Sequence, residues 1–114
     1  MSVLKIVRLG HPVLRQSARP LCPNEIRTTA VQRLIDDMVE TMLDDGGIGL
    51  AAPQVGRSLR LLVLGDPDAP GPDAGHAEGA SAAGEVIPLT ILLNPRWTAR
   101  SADTVDGWEG CLSV

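Results

Sequence analysis

The chain has 114 residues, 44% hydrophobic and 21% charged, with a formal charge of −4 and a pI near 5.0. That length holds one small domain at most, and the acidic balance argues against a nucleic-acid binder, which would carry a basic face. No window reaches the roughly 18 apolar residues of a membrane helix, and the N-terminus MSVLKIVRLGHPVLRQ has charges inside its apolar stretch and no small-residue cleavage site, so no signal peptide is read and a cytoplasmic protein with reduced thiols is expected.

Tyr and Phe are absent and two Trp are present, so the core must come from Leu, Ile, Val, Met and Ala. Residues 3–7 (VLKIV) alternate loosely and predict a short strand. GHP at 10–12 is a turn. PLCPN (20–24) is a rigid loop ending at Asn24, a good helix N-cap. From Glu25 the pattern turns helical: Val31, Leu34, Ile35, Met38, Val39 and Met42 form one stripe, with Asp36, Asp37, Glu40 and Asp44 opposite. Gly46 and Gly47 end this helix. LRLLVL (59–64) predicts a strand, and the Gly-, Pro-, Ala- and Asp-rich residues 65–86 a mobile surface loop. LTILL (89–93) is another strand, stopped by Asn94-Pro95. Residues 97–101 and 104–108 alternate weakly and suggest a hairpin about Ala102-Asp103. The sum is an α+β arrangement, an N-terminal helix among short strands. Cys22 and Cys111 lack a secretory context, so a disulfide is not expected.

Two stretches are candidates for chemistry. In GGIGLAAPQVG (46–56), small residues permit close approach to the backbone, and Gln54 offers an amide donor and acceptor. A nucleotide-binding loop is rejected, because a helix precedes and a strand follows, the reverse of the dinucleotide order, and no Gly-Lys-Ser/Thr ends it. By itself this stretch also reads as a glycine C-cap with a tight crossing and a solvated Gln54. In WEGCLS, Cys111 lies among open backbone and offers a nucleophile or a soft metal ligand. A buried cysteine acting as a small hydrophobe is the commoner situation. His11 in its turn reads as structural, and Cys22, Cys111, His11 and His76 show no ligand spacing.

Together, GIGLAAPQ (47–54) and EGCLS (109–113) resemble the first two of three signature motifs of peptide deformylases. Gly47, Gly49, Ala51, Ala52 and Gln54 match the first, and the second matches in full. Order and spacing agree, as do the helix with DDM and the GHPVLR stretch, so the resemblance spans nearly the whole chain. It implies hydrolysis of the formyl group from the N-terminal formyl-methionine of newly made bacterial proteins. It also implies a metal, Fe²⁺ with Zn²⁺ or Ni²⁺ able to substitute, held by one Cys and two His, with Cys111 as the thiolate ligand. The Gln54 side-chain amide and the Leu112 backbone N–H would stabilise the oxyanion. Ile48, Gly49 and the Gly110 carbonyl would hold the peptide backbone in strand fashion. The partners implied are nascent formyl-methionyl peptides, with the ribosome as a further one.

The third motif of that family, His-Glu-x-x-His, is absent: the chain's two His, His11 and His76, are far apart and neither precedes a Glu. Residues 1–114 are therefore expected to be an incomplete deformylase-like domain that lacks the central metal-binding helix and both His ligands. Alone it is expected to be inactive and loosely folded, with Leu61, Val63, Ile91 and Leu93 stripped of cover. Burial of one such side chain is worth about 1.5–3 kcal/mol against a net stability of about 5–15 kcal/mol. The alternative is a non-catalytic remnant that binds formyl-peptides without turnover.

Overall fold

A computed structural model describes residues 2–69 and 86–114. Its longest element is helix α2, Thr29–Asp44, preceded by a single helical turn α1, Pro23–Ile26. The expected start at Asn24 is displaced. Pro23, which needs no intrahelical acceptor for its missing N–H, opens α1. Thr28 then takes an extended conformation (φ −71°, ψ 150°), and its hydroxyl accepts from the Val31 N–H at 3.3 Å. Two good caps competed, and the one adjoining the apolar stripe starts the long helix.

The stripe itself is as expected: Val31, Leu34, Ile35, Met38 and Met42 are buried and Val39 is half-buried. Of the four acidic residues placed opposite, Asp36 and Asp44 are exposed, whereas Asp37 and Glu40 are half-buried. The Glu40 Oε2 is buried without a hydrogen-bond partner among the described residues.

Three short strands, β1 (Gly49–Ala51), β2 (Leu61–Leu64) and β3 (Thr90–Leu93), form an antiparallel sheet in that order. Leu50 stands opposite Val63, and Leu62 opposite Leu92. Leu61 and Val63 point to one face of β2 and are buried with Leu50 against Leu34, Ile35, Met38 and Met42. The expectation that these two β2 side chains lack cover is thus corrected, since α2 supplies it. On β3 the expectation is closer: Ile91 and Leu92 are exposed and Leu93 is half-buried.

One strand and one hairpin expected from alternation do not form. Residues 3–7 run beside α2 without a ladder, because their neighbourhood's amides are taken elsewhere. Ser2 N–H donates to Asp37 Oδ1, Leu4 N–H to Thr41 Oγ1 and Val7 N–H to the Gln54 carbonyl, at 2.7, 2.7 and 2.8 Å. Thr41, fully buried, is satisfied twice over, since its hydroxyl also donates to the Asp37 carbonyl at 2.6 Å. The hairpin over 97–108 is irregular instead. Trp97, Val105 and Trp108 are 84%, 95% and 104% exposed, and an isolated hairpin with no apolar face to bury is marginal in water. The α+β class stands with these corrections.

Residues 70–85, most of the expected 65–86 loop and including His76, lie outside the described residues. The ends are tied: Asp66 N–H donates to the Ile87 carbonyl at 2.8 Å, and Leu89 N–H to the Asp66 carbonyl at 3.0 Å. Among the described residues no helix is long and apolar enough to cross a membrane.

Candidate functional site

The first wall of the site is created by the way α2 stops. Gly46 sits at φ +68°, where a side chain is disfavoured. Its N–H donates to the Leu43 carbonyl at 3.1 Å, and the Gly47 N–H to the Met42 carbonyl at 2.9 Å, the paired bonds of a Schellman ending. The chain therefore turns sharply into β1, leaving the Ile48 side chain 88% exposed while its carbonyl accepts from the Gly65 N–H at 3.0 Å.

Beyond β1 a 3-10 turn, Ala52–Val55, carries Gln54 and is closed by Gly56 at φ +81°. The Gln54 Oε1 accepts from the Ala51 N–H at 2.9 Å. A backbone N–H can only donate, which fixes the amide the other way round on its far side. Nε2 consequently faces the second wall, 3.5 Å from Cys111 Sγ and 3.2 Å from Ser113 Oγ. Gln54 is half-buried with both ends engaged, not a solvated turn residue.

Between the walls lies a cavity of about 450 Å³ lined by residues 46–49, Gln54 and residues 110–112. Ile48, Gly49, Gln54, Gly110, Cys111 and Leu112, the residues to which the resemblance gives site roles, thus line one cavity. Cys111 is an exposed free thiol, so the reading of a small buried hydrophobe fails for it. A second, more apolar hollow of about 440 Å³ adjoins the first across residues 46–48 and reaches Val86 and Ile87.

The glycines divide into two kinds. A Cβ on Gly47 would sit 2.6 Å from Leu112 Cδ1, so the two walls interlock there. A Cβ on Gly49 would meet only ordinary contacts, Val63 O at 3.7 Å and Leu64 Cβ at 3.8 Å. One on Gly110 would meet nothing within 4 Å among the described residues.

His11 is not in the cavity lining. Its Nδ1 accepts from the Val13 N–H at 3.2 Å and caps the 3-10 turn Pro12–Arg15, the structural role expected for it. Cys22 precedes α1 and is exposed. Among the described residues no three His, Cys, Asp or Glu side chains stand together as a metal site.

Sequence reasoning missed Ser113 and Arg8. Ser113 is buried and its hydroxyl accepts from Gln54; its place in EGCLS was a signal that carried no assigned role. Arg8 Nη1 donates to the Leu112 carbonyl at 3.1 Å across 104 positions, for which no local signal exists.

A family model described as polypeptide deformylase matches residues 3–114. Peptide deformylase 2 of Pseudomonas putida is 44% identical over 110 residues, covering 96% of this chain and 56% of that protein. The peptide deformylase of Leptospira biflexa is 41% identical over 114 residues, covering 100% of this chain and 59% of that protein. Among solved structures, the Met-Ala-Ser-bound class I type b peptide deformylase of Acinetobacter baumannii superposes with a TM-score of 0.77 at 31% identity, covering 99% of this chain and 66% of that one. The Thermotoga maritima peptide deformylase superposes with a TM-score of 0.71 at 31% identity, covering 99% and 62%. The chain thus spans a little over half the length of these two curated relatives.

Proposed function

The chain belongs to the polypeptide deformylase family, and from that premise we propose that it carries the peptide-docking and carbonyl-polarising part of a hydrolase. The reaction is removal of the formyl group from the N-terminal formyl-methionine of newly made proteins. The observation that carries this reading is the locked amide of Gln54, whose Nε2 stands 3.5 Å from Cys111 Sγ in the lining of a glycine-walled cavity.

When a formyl carbon becomes tetrahedral, negative charge gathers on its oxygen. Donors held in place beforehand stabilise that charge without reorganising during the reaction. Gln54 Nε2–H is such a donor: its Oε1 is already held by the Ala51 N–H, and a substrate oxygen would take the place of the long 3.5 Å contact to Cys111 Sγ. The Leu112 backbone N–H is assigned the same task. Among the described residues β1 is an edge strand, paired with β2 on one side, so a peptide can lie along its other side and exchange main-chain hydrogen bonds in the manner of an added strand. Ile48, Gly49 and the Gly110 carbonyl are the groups assigned to that docking. The two glycines whose Cβ positions the fold leaves free, Gly49 and Gly110, suit an approaching backbone. The Acinetobacter baumannii structure bound to Met-Ala-Ser supports a peptide as the ligand class. Substrates of this kind, nascent formyl-methionyl chains, put the protein in the bacterial cytoplasm with the ribosome as a neighbour.

The family's chemistry calls for a metal, assigned here as Fe²⁺ with Zn²⁺ or Ni²⁺ able to replace it. The described residues fit such an ion only in part. Cys111 offers one soft thiolate to the cavity, and the two His ligands would have to come from outside the described residues.

The test has two arms in the full-length gene product. Met-Ala-Ser added to isotopically labelled protein is expected to move the amide signals of Ile48, Gly49 and Gly110 and the Gln54 side-chain signal; unmoved signals refute the docking. Formate release from formyl-Met-Ala-Ser is expected to fall about 10²–10³-fold in Gln54→Ala with little change in KM. An undiminished rate refutes the donor role, and binding without turnover in the unsubstituted protein favours the non-catalytic peptide binder.

A further inference from the structure

Among the described residues, no helix or strand leads into the second wall of the cavity. Residues 95–110, which lead into Cys111, form no helix or strand, and residues 96–111 are exposed throughout. Among the described residues, 111–113 are held by the Gln54 side-chain amide, by the Leu112 side chain against Gly47, and by three consecutive residues near the N-terminus. Val7 N–H donates to the Gln54 carbonyl at 2.8 Å, Arg8 Nη1 to the Leu112 carbonyl at 3.1 Å, and Leu9 N–H to the Ser113 carbonyl at 2.7 Å. One short stretch thus bonds both walls, which lie 59 positions apart at Gln54 and Ser113.

That stretch is itself held. The Arg8 carbonyl accepts from the His11 N–H at 3.1 Å in a turn closed by Gly10 at φ +102°. The following 3-10 turn, Pro12–Arg15, packs against the turn that bears Gln54. We propose that Arg8 is a positioning residue. Its guanidinium, clasping the Leu112 carbonyl between the bonds of Val7 and Leu9, sets the orientation of the Leu112 peptide groups relative to Gln54. A planar guanidinium donates to a carbonyl along a defined direction, and a donor that carries charge makes the stronger bond. Fixing the Leu112 carbonyl restricts rotation at Leu112 and so steadies the N–H on its other side. This rests on the reading of Leu112 and Gln54 as paired donors.

The test needs no turnover, so a failed deformylation assay would leave it intact. In the full-length protein, Arg8→Ala and Arg8→Lys are compared by amide hydrogen exchange and by the chemical shifts of the Leu112 amide and the Gln54 side-chain NH₂. In Arg8→Ala the Leu9 amide is expected to exchange about tenfold faster and both cavity signals to move, while the amides of α2 keep their rates. Arg8→Lys, which restores one charged donor, is expected to fall between Arg8→Ala and the parent. Unmoved cavity signals, an Arg8→Lys variant as perturbed as Arg8→Ala, or α2 amides accelerating in step with Leu9 would each overturn the proposal, the last because it marks general loss of stability.

Discussion

Gly47 and Gly110 separate two reasons for a glycine at one site. At Gly47 the space for a Cβ is filled by the end of the Leu112 side chain, 2.6 Å away. Gly47→Ala must push that side chain aside, and because the displaced atom is the free end of a half-buried leucine the cost lies at the low end of overpacking, about 1 kcal/mol. Gly110→Ala meets no neighbour within 4 Å among the described residues, so its stability should stay within about 0.5 kcal/mol of the parent. Its added methyl should still weaken binding of Met-Ala-Ser. Thermal denaturation together with a peptide titration distinguishes the two, and equal stability losses would contradict the assignment. The motif marks both positions as glycine but does not say which serves packing and which serves access.

At the scale of elements, the start of the long helix depends on one hydroxyl. Thr28→Ala removes the acceptor for the Val31 N–H and should cost about 1 kcal/mol by urea denaturation, whereas Asn24→Ala should be close to neutral. The reverse order would restore Asn24 as the effective cap. At the first turn of α1, Arg19 and Glu25 form a two-pronged ion pair at 2.7 and 3.0 Å, and Glu25 Oε2 also accepts from the Cys22 N–H at 2.9 Å. The Arg19 hydrogen bonds, aided by the Cys22 N–H, lower the Glu25 carboxyl from 4.5 to about 2. A carboxyl depressed in the folded state stabilises it fully above pH 4.5 and loses that contribution as the pH falls toward 2. Both partners are solvent-accessible, so the effect is screened and should shrink with added salt. The melting temperature of the parent should therefore fall more steeply than that of Glu25→Gln between pH 4.5 and 2. Parallel curves would show that the pair does not persist in solution.

For the molecule as a whole, both aromatic side chains stand outside the core, since Trp97 and Trp108 are fully solvent-facing. Their fluorescence should be that of indole in water and fully open to iodide quenching. A blue-shifted, protected emission would mean that residues 95–110 pack against something. The core is instead aliphatic, α2 laid over β1 and β2, and this much was legible in the spacing of Val31, Leu34, Ile35, Met38 and Met42. The strand over 3–7 and the hairpin over 97–108 were misread because alternation marks only a capacity to pair. Within the strand, the Leu4 and Val7 amides went to Thr41 and Gln54, and the hairpin found no apolar surface to bury among the described residues.

From sequence alone came the features that local chemistry controls: the amphipathic helix, its glycine ending, two of the three strands, and two motifs whose residues prove to share one cavity. Tertiary structure alone decided which donors meet which acceptors. Gln54 locks on Ala51 and faces Cys111 and Ser113, and Arg8 reaches Leu112 across the length of the chain. The physical reason is that a cap or a helical stripe is determined within a few residues, whereas a hydrogen bond between distant segments depends on which groups folding has already paired.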